Sequence, residues 1–141
     1  MIVLDTTVLV YAVGDPHPLA HRARDLVAAI EHGRLRATTT IEAVQEFAHV
    51  RARRRGRADA AALARDFANL LSPLLAPDEE DLDRGLDLFE ESSLGAFDSV
   101  LAATAKAGGA HALVSADRGF AAVAGITFVP LDGPGIIELI G

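Results

Sequence analysis

Short continuous runs of apolar residues alternate along this chain with longer helical patterns, and this alternation constrains the fold more than any other feature. The runs predict buried strands at 2–4, 35–38, 112–115 and 126–129, and a two-residue run at 74–75 is a candidate fifth strand. Continuous apolar strands without hairpin turns between them are typical of a parallel sheet buried on both faces. The sequence therefore predicts an α/β fold with a central, mostly parallel, twisted sheet of four to five strands covered by helices on both faces.

Helical patterns fill the segments between these runs. They predict helices near 8–12, 19–30, 41–55, 58–71, 78–91 and 97–107, followed by a short C-terminal helix. Asp15 followed by Pro16 has the form of an N-cap and a first helical position. Thr39 with Glu42 three residues later has the form of a capping box. No internal repeat and no long linker divides the chain, so residues 1–141 are expected to form one domain.

Composition excludes several classes of protein. Half of the 141 residues are hydrophobic, and this fraction excludes a disordered chain. Cysteine is absent, which excludes disulfides, thiolate metal sites and cysteine nucleophiles. No apolar stretch approaches the roughly 20 residues that span a bilayer, and the N-terminus lacks the basic region of a targeting segment. We therefore expect a cytoplasmic protein without a membrane partner.

The overall charge gives little support to a general nucleic-acid binder. The net charge is −7, from 20 acidic and 13 basic residues, and it weighs against binding through whole-protein charge. Aromatic residues are few and tryptophan is absent, which weighs against an extended platform for base stacking. The placement of the acids is therefore more informative than their number.

Two aspartates follow closely on predicted strands. Asp5 comes directly after the first strand, and Asp117 comes just after the strand that ends near Ser115. In an open parallel sheet, ligands bind at the carboxyl ends of the strands, so both carboxylates are expected at one crevice. Either aspartate could instead be the N-cap of the next helix, because aspartate is a preferred residue there.

Two further acids border the apolar faces of predicted helices. At 100° per residue from Ile41, Glu46 falls at about 140°, on the edge of the apolar arc, whereas Glu42 falls at about 100° on the polar face. Glu46 is therefore expected to be half-buried, and Glu42 is expected to serve the capping box. Asp98 borders the apolar face of its helix near the helix start. A solvated flank for Glu46 and a favourable dipole charge for Asp98 are the alternative interpretations.

Convergence of all four acids in one crevice would be unfavourable without a counter-ion. Closely packed carboxylates repel one another, and burying them unpaired is expensive. A divalent cation removes this conflict, and hard oxygen ligands of this kind suit Mg²⁺ or Mn²⁺ rather than Zn²⁺. The sequence therefore predicts a magnesium site, with manganese as the alternative cation.

Four segments of the chain together resemble a known family. The segments VLDTTVLVYA, IEAVQEFAHV, FDSVLAATA and LVSADRGF begin at residues 3, 41, 97 and 113. They are similar, in order and spacing, to the signature segments of PIN domains. The similarity is greatest to the VapC-type toxins of type II toxin–antitoxin systems, and it covers nearly the whole chain.

The resemblance implies roles for the residues at the matching positions. It makes the four acids Asp5, Glu46, Asp98 and Asp117 the metal-binding and catalytic residues. Ser115 matches a position at which the family commonly has a hydroxyl near the site. Apart from the resemblance, Thr6 and Thr7 are supporting candidates that could cap the helix or bind a phosphate oxygen. The chain departs from many relatives at Thr7, where they carry Asn or Ser, and at Gly119, where they carry a further acid. The missing acid leaves the number of metal ions, one or two, open.

The resemblance also implies an activity and partners. It implies a Mg²⁺-dependent endoribonuclease that hydrolyses RNA phosphodiester bonds, acts as a toxin and is restrained by a small VapB-type antitoxin. Toxins of this type usually form homodimers. A non-catalytic or degenerate PIN-like α/β module is one alternative, although the complete set of four acids counts against it. A haloacid-dehalogenase-like phosphatase is another, although it needs a second aspartate where this chain has Thr7.

A dense basic run follows the second of these segments. Five of the 13 basic residues lie in it, namely Arg51, Arg53, Arg54, Arg55 and Arg57. The run predicts either a surface that contacts RNA phosphates or an acidic partner, or a solvated helix end where cations suit the helix dipole. His17 and His21 lie four residues apart without a third ligand nearby, and they are expected on the surface.

Overall fold

The parallel sheet that the apolar runs predict is present. The computed structural model describes all 141 residues, and its sheet consists of β1 (Ile2–Leu4), β2 (Ala37–Thr38), β3 (Ala112–Ser115) and β4 (Thr127–Pro130). The strands lie in the order β2-β1-β3-β4, and every neighbouring pair is parallel. In the two central strands, Val3 pairs with Leu113. The carboxyl ends of β1 and β3 therefore meet at one edge of the sheet.

Seven α-helices connect and cover the strands. They are α1 (Thr6–Ala12), α2 (Pro18–Glu31), α3 (Ile41–Arg55), α4 (Arg57–Leu70), α5 (Glu79–Glu91), α6 (Ala96–Ala107) and α7 (Gly135–Ile140), and a 3₁₀ helix spans Arg118–Ala122. Each predicted helix is present, with ends close to the predicted ones. None of them is long and apolar enough to cross a membrane.

Alternate residues of the central strands face opposite layers of helices. Ile2 and Leu4 belong to a core cluster that includes buried residues of α1, α2, α3, α4 and α7. Val3 and Leu113 belong to a second cluster, which is built mainly with α6. Both strands are buried throughout. The apolar runs are continuous because each central strand needs apolar side chains on both of its faces.

The start of α2 differs from the prediction. Its N-cap is His17, whose Nδ1 accepts a hydrogen bond from the amide two residues on, and Pro18 occupies the first helical position. The prediction of Asp15 as the cap and Pro16 as the first residue was wrong. His17 and Pro18 offer the same arrangement of acceptor and proline two residues closer to the helix.

The predicted capping box of Thr39 and Glu42 is absent. The N-cap of α3 is Thr40, whose side chain accepts a hydrogen bond from the amide of Ala43. Thr39 instead donates its hydroxyl to the carbonyl of Leu4 at 2.6 Å, which ties the start of α3 to β1. One carboxylate oxygen of Glu42 is buried and has no hydrogen-bond partner. The hydroxyl of Thr39, which the sequence pattern assigned to the helix cap, is therefore hydrogen-bonded to the carbonyl of Leu4 instead.

The candidate fifth strand at 74–75 is reduced to one parallel bridge between Thr40 and Leu75. The amide of Leu75 donates to the carbonyl of Thr39, and the amide of Ile41 donates to the carbonyl of Leu75. These two hydrogen bonds attach the segment to the start of α3 without adding a strand, and the sheet has four strands.

Helices α5 and α6 pack very closely at Gly85. A Cβ atom on Gly85 would lie 2.8 Å from the Cα of Val100 and 3.0 Å from the amide nitrogen of the same residue. Helix α6 carries Asp98 in its first turn. The close contact therefore fixes the helix that brings this carboxylate to the edge of the sheet.

We expect Gly85→Ala to lower the free energy of unfolding by about 1–3 kcal/mol, since the added methyl group would press on the α6 backbone. Helix propensity alone predicts the opposite, a gain of about 1 kcal/mol for alanine over glycine. Denaturant unfolding followed by circular dichroism measures the change. Asp83→Ala on the exposed side of α5 is the control, and a stabilised Gly85→Ala protein would contradict the close packing.

Candidate active site

Asp5 lies where β1 ends and α1 begins, at the carboxyl edge of the sheet. It is only 3% exposed, and its side chain makes no capping hydrogen bond to α1 although it occupies the N-cap position. Burial raises the pKa of this carboxyl, and hydrogen bonds from Ser115 and Thr7 oppose the rise. The carboxylate of Asp5 is therefore held by side-chain hydroxyls from α1 and from the end of β3.

Two hydroxyl groups hold one oxygen of Asp5. The Oδ2 atom of Asp5 accepts a hydrogen bond from Ser115 Oγ at 2.6 Å and another from Thr7 Oγ1 at 2.9 Å. Each hydroxyl also accepts an amide proton from the turn after β3. The amide of Ala116 donates to Thr7 Oγ1 at 3.0 Å, and the amide of Asp117 donates to Ser115 Oγ at 2.9 Å. Both hydroxyl protons are thus committed to Oδ2, which fixes the carboxylate and leaves Oδ1 to other partners.

Asp117 lies two residues beyond β3 at the same edge. Its Oδ1 accepts a hydrogen bond from the amide of Gly119 at 2.8 Å, so this aspartate does cap the 3₁₀ helix that follows. Its side chain also lines the cleft that Asp5 lines. A Cβ atom at Gly119 would lie 3.1 Å from the same Oδ1. The amide of Gly119 therefore holds Asp117 in place, and the chain has no side chain at this position.

Glu46 reaches the same edge from α3. Thr6 Oγ1 donates a hydrogen bond to its Oε2 at 3.0 Å, which joins the start of α1 to the middle of α3. The prediction of a half-buried Glu46 was wrong, because Glu46 is exposed and Glu42 is the partly buried one. Glu42 lies in a cleft that Pro77 and Phe97 also line. Its burial comes from neighbouring segments that a helical wheel does not include.

Asp98 lies half-buried in the first turn of α6. Burial, and then repulsion from Asp5, Asp117 and Glu46, raises its pKa to about 7. The other three carboxylates therefore act electrostatically on Asp98, although the four come from separate parts of the chain.

All four predicted acids line one cleft. The cleft has a volume of about 330 Å³, and its lining residues are Asp5, Thr6, Thr7, Val10, Tyr11, Glu46, Val50, Arg54, Asp98 and Asp117. Sequence reasoning missed Val10, Tyr11 and Val50. Helical spacing could have found Tyr11, which lies one turn after Thr7 on α1.

The donor atoms of the acids fit a hard divalent cation. They are all carboxylate oxygens, which Mg²⁺ and Mn²⁺ prefer and which suit Zn²⁺ poorly. No three His, Asp or Glu side chains of the chain lie close enough together to hold a metal ion as they stand. A cation would therefore have to draw in the exposed carboxylates of Glu46 and Asp117, and it would relieve the repulsion that raises the pKa of Asp98.

A family model for the PIN domain matches residues 2–126, a span that contains all four acids. The chain belongs to the PIN-domain family. A curated relative, Ribonuclease VapC7 from Mycobacterium tuberculosis (strain ATCC 25618 / H37Rv), is 54% identical over 143 residues, and the alignment covers 100% of this chain and 99% of the relative. The predicted resemblance to PIN domains of the VapC type is thereby confirmed.

Solved structures share the fold of this PIN domain. VapBC2 from Rickettsia felis, in a crystal structure bound to a DNA fragment from their promoter, matches with a TM-score of 0.70 and 17% identity over 92% of this chain and 98% of that chain. A toxin–antitoxin complex from Klebsiella pneumoniae matches with a TM-score of 0.68 and 17% identity over 93% of this chain and 98% of that chain. At such identity the match concerns the fold alone, and it confirms the predicted PIN-like α/β architecture.

The arginines of the basic run have different surroundings in the PIN domain, and Arg51 has a structural role. Its Nε donates to Oδ1 of Asp59 at 2.6 Å, and its Nη1 donates to the carbonyl of Val13 at 2.8 Å. The hydrogen bond from Arg51 lowers the pKa of the Asp59 carboxyl. Arg51 therefore joins α3 to the end of α1 and to the start of α4, and its guanidinium is already engaged.

The other arginines of the run differ in their surroundings. Arg55 pairs with Asp15 at 2.6 Å on the surface, whereas Arg53 and Arg57 are exposed without an ion pair. Arg54 is the one arginine of the run that lines the cleft of the PIN domain. Of the five arginines predicted as a contact surface, Arg54 is thus the one that lies at the cleft.

We expect Asp98→Asn to stabilise the metal-free PIN domain at about pH 8, by about 1–2 kcal/mol after allowance for solvent screening of this half-buried group. The folded-state pKa of about 7 lies above the unfolded value of 3.8, so the folded protein holds this proton more tightly than the unfolded chain does. Wild-type stability should therefore fall as the pH rises from roughly 4 to roughly 7, and the variant should lack this loss.

Thermal unfolding in chelator across this pH range measures the difference. Asp83→Asn on α5 is the matched control, because its side chain lies outside the cleft. Wild type and Asp98→Asn should be about equally stable near pH 4, where both side chains are neutral. Parallel stability profiles over the whole range would contradict the repulsion among the four acids.

Proposed function

We propose that this PIN domain is a Mg²⁺-dependent endoribonuclease that hydrolyses RNA phosphodiester bonds and acts as the toxin of a toxin–antitoxin pair. The observation that carries the proposal is the meeting of Asp5, Glu46, Asp98 and Asp117 in one cleft. The identity of 54% to a protein named a ribonuclease supports RNA as the substrate. No histidine or lysine lines the cleft, so cation-assisted hydrolysis fits these residues better than general base catalysis by an imidazole or amine.

The four acids would hold the cation, and Mn²⁺ could replace Mg²⁺. Bound Mg²⁺ supplies a lowered pKa for water and stabilises the negative charge that develops on the phosphate. Asp5 is the candidate for a shared ligand, because it lies at the centre of the sheet edge with one oxygen already fixed.

The hydroxyl groups of the site orient the acids before any ligand binds. Ser115 and Thr7 direct Asp5, and Thr6 directs Glu46 through the hydrogen bond to its Oε2. The amide of Gly119 directs Asp117 in the same way. Such preorganisation reduces the reorganisation that ligand binding and reaction would otherwise require.

The alternative functions are less well supported. A haloacid-dehalogenase-like phosphatase needs a second aspartate at residue 7, where Thr7 instead donates its hydroxyl to Asp5. A non-catalytic PIN module would gain nothing from keeping four carboxylates together, since their repulsion and burial disfavour the ionised form of Asp98. The complete set of acids therefore favours the enzyme.

An antitoxin and a second copy of the chain are the proposed protein partners. The fold similarity to a chain in a toxin–antitoxin complex supports a VapB-type antitoxin. The homodimer rests on the resemblance to VapC-type toxins. The cytoplasm is the compartment that an activity on cellular RNA requires.

RNA cleavage should need both the charge of Asp5 and a divalent cation. Asparagine keeps the shape of the Asp5 side chain but removes the charge that attracts the cation. We expect wild type to cleave RNA with Mg²⁺ and to stop in chelator, and we expect Asp5→Asn to be at least about 100-fold slower. Gel analysis of a mixed cellular RNA measures the cleavage.

Asp83→Asn, on the exposed side of α5, is the control for this comparison and should cleave at the wild-type rate. Circular dichroism shows whether Asp5→Asn is folded. Equal cleavage by wild type and Asp5→Asn, or cleavage that continues in chelator, would contradict the cation mechanism.

Glu46→Gln and Glu42→Gln form a matched pair on one helix. Glu46 lines the cleft and Glu42 does not, so Glu46→Gln should reduce cleavage by at least about 100-fold while Glu42→Gln leaves it near the wild-type rate. Both rates are measured under the conditions used for Asp5→Asn. The reverse result would show that Glu42, and not Glu46, belongs to the active site.

A further inference from the structure

The cleft that holds the acids has a second end with a different chemistry. Val10 and Tyr11 from α1, with Val50 and Arg54 from α3, line this end. We propose that it is a subsite for one nucleotide of single-stranded RNA, in which Tyr11 stacks on the base and Arg54 contacts a phosphate oxygen. The proposal rests on the endoribonuclease function and adds the residues that hold the substrate beside the acids.

Helices α1 and α3 form the walls of this end and run side by side in the same direction. Near the acids, Thr6 donates to Glu46 at 3.0 Å. Further along both helices, the carbonyl of Val13 accepts a hydrogen bond from Arg51 at 2.8 Å. These contacts lie on either side of Tyr11 along α1 and of Val50 along α3, and Arg54 follows about one turn later, so the two walls are fixed to each other beside Tyr11.

Helical spacing places Tyr11 and Arg54 in line with the acidic end. Tyr11 follows Thr7 by one turn of α1, which is about 6 Å along the helix axis. Arg54 follows Glu46 by two turns of α3, which is about 12 Å along that axis. An RNA strand with its scissile phosphate at the acids would therefore meet Tyr11 first and Arg54 beyond it.

The ring of Tyr11 is held by a neighbouring ring. Its centroid lies 4.6 Å from that of His17, with 32° between the ring planes. The His17 ring is itself fixed, because its Nδ1 accepts a hydrogen bond from the amide of Leu19 at 3.1 Å. An aromatic side chain that is already immobilised loses little entropy when a base stacks on it. Base stacking on aromatic side chains is the general means by which proteins bind single strands.

Arg54 is free to contact a phosphate, unlike two of its neighbours. Arg51 is paired with Asp59, and Arg55 is paired with Asp15. Arg54 makes no ion pair and lines the cleft. A guanidinium can bind a phosphate through two parallel hydrogen bonds. Its positive charge also opposes the repulsion that the four acids exert on the RNA backbone.

Tyrosine fluorescence tests the stacking directly, because Tyr11 is the only tyrosine and tryptophan is absent. Single-stranded oligo(A), oligo(U), oligo(C) and oligo(G) RNAs are mixed rapidly with wild-type protein in Mg²⁺. An oligomer of abasic ribose phosphate of the same length is the control. We expect RNAs that carry bases to quench the tyrosine emission and the abasic oligomer to leave it nearly unchanged.

Binding of labelled RNA to variants separates the two contacts. Tyr11→Leu keeps apolar volume without an aromatic face, so it should weaken binding of base-containing RNA by about tenfold or more and leave abasic binding unchanged. Tyr11→Phe should stay within about twofold of wild type, since it keeps the face. Arg54→Ala should weaken both ligands and lower the salt dependence by about one counter-ion, whereas Arg53→Ala should change neither.

The outcomes distinguish this subsite from the proposed activity. Bound RNA that leaves the tyrosine emission unchanged, or a Tyr11→Leu protein with wild-type affinity, would overturn the subsite even if RNA is cleaved. RNA that does not bind at all would overturn it as well. Quenching with the expected effects of the variants, but without cation-dependent cleavage, would support the subsite and contradict the endoribonuclease.

Discussion

Burial of the Asp5 carboxylate at the end of a central strand is the constraint on which the rest of the site depends. Asp5 is only 3% exposed, so its carboxylate needs hydrogen-bond donors from the protein. The donors are the hydroxyls of Thr7, on the same turn, and of Ser115, which is 110 residues away in sequence. Ser115 reaches Asp5 because β1 and β3 are paired. The site is therefore assembled by the same strand pairing that builds the core.

The proposed RNA substrate is acidic, and so is this chain, so the placement of the charges matters more than their sum. The net charge of −7 predicts weak binding to RNA, but it contains no information about where the charges lie. Helix α5 alone carries seven acids and one arginine, all outside the cleft. At one end of the cleft, Asp5, Asp117 and Glu46 repel the carboxylate of Asp98, and Arg54 lies at the other end. Local placement, more than total charge, decides which ligand the cleft can take.

Sequence patterns predicted the features of this molecule that depend on near neighbours. Continuous apolar runs predicted the strands, because a strand such as Ile2–Leu4 is buried on both faces. Strand ends then placed Asp5 and Asp117 at one edge. Features that depend on distant partners were not predictable. Thr39 has the sequence of a cap, but the carbonyl of Leu4, 35 residues earlier, takes its hydroxyl. Glu42 is covered by segments that its own helix does not contain.

The same limit applies to the basic run and to the aromatic residues. Five arginines in sequence look equivalent, yet Arg51 is engaged by Asp59 and Val13 while Arg54 lines the cleft. A low aromatic content argues against an extended stacking platform, but a subsite for one base needs one ring, and the chain has one tyrosine in the right place. A low aromatic content can exclude a large surface for base stacking without excluding a site for a single base.

Helices α1 and α3 each contribute residues to both ends of the cleft. Substitutions at one end of these helices therefore differ in effect from substitutions at the other end. Their first parts supply Thr6, Thr7 and Glu46 at the acids, and their later parts supply Tyr11 and Arg54. The later positions make no hydrogen bond to the acids, so a substitution there changes the lining of that end of the cleft and removes none of the groups that orient the carboxylates. If the chain acts on RNA as proposed, such a substitution would change which RNA it selects while the four acids stay the same.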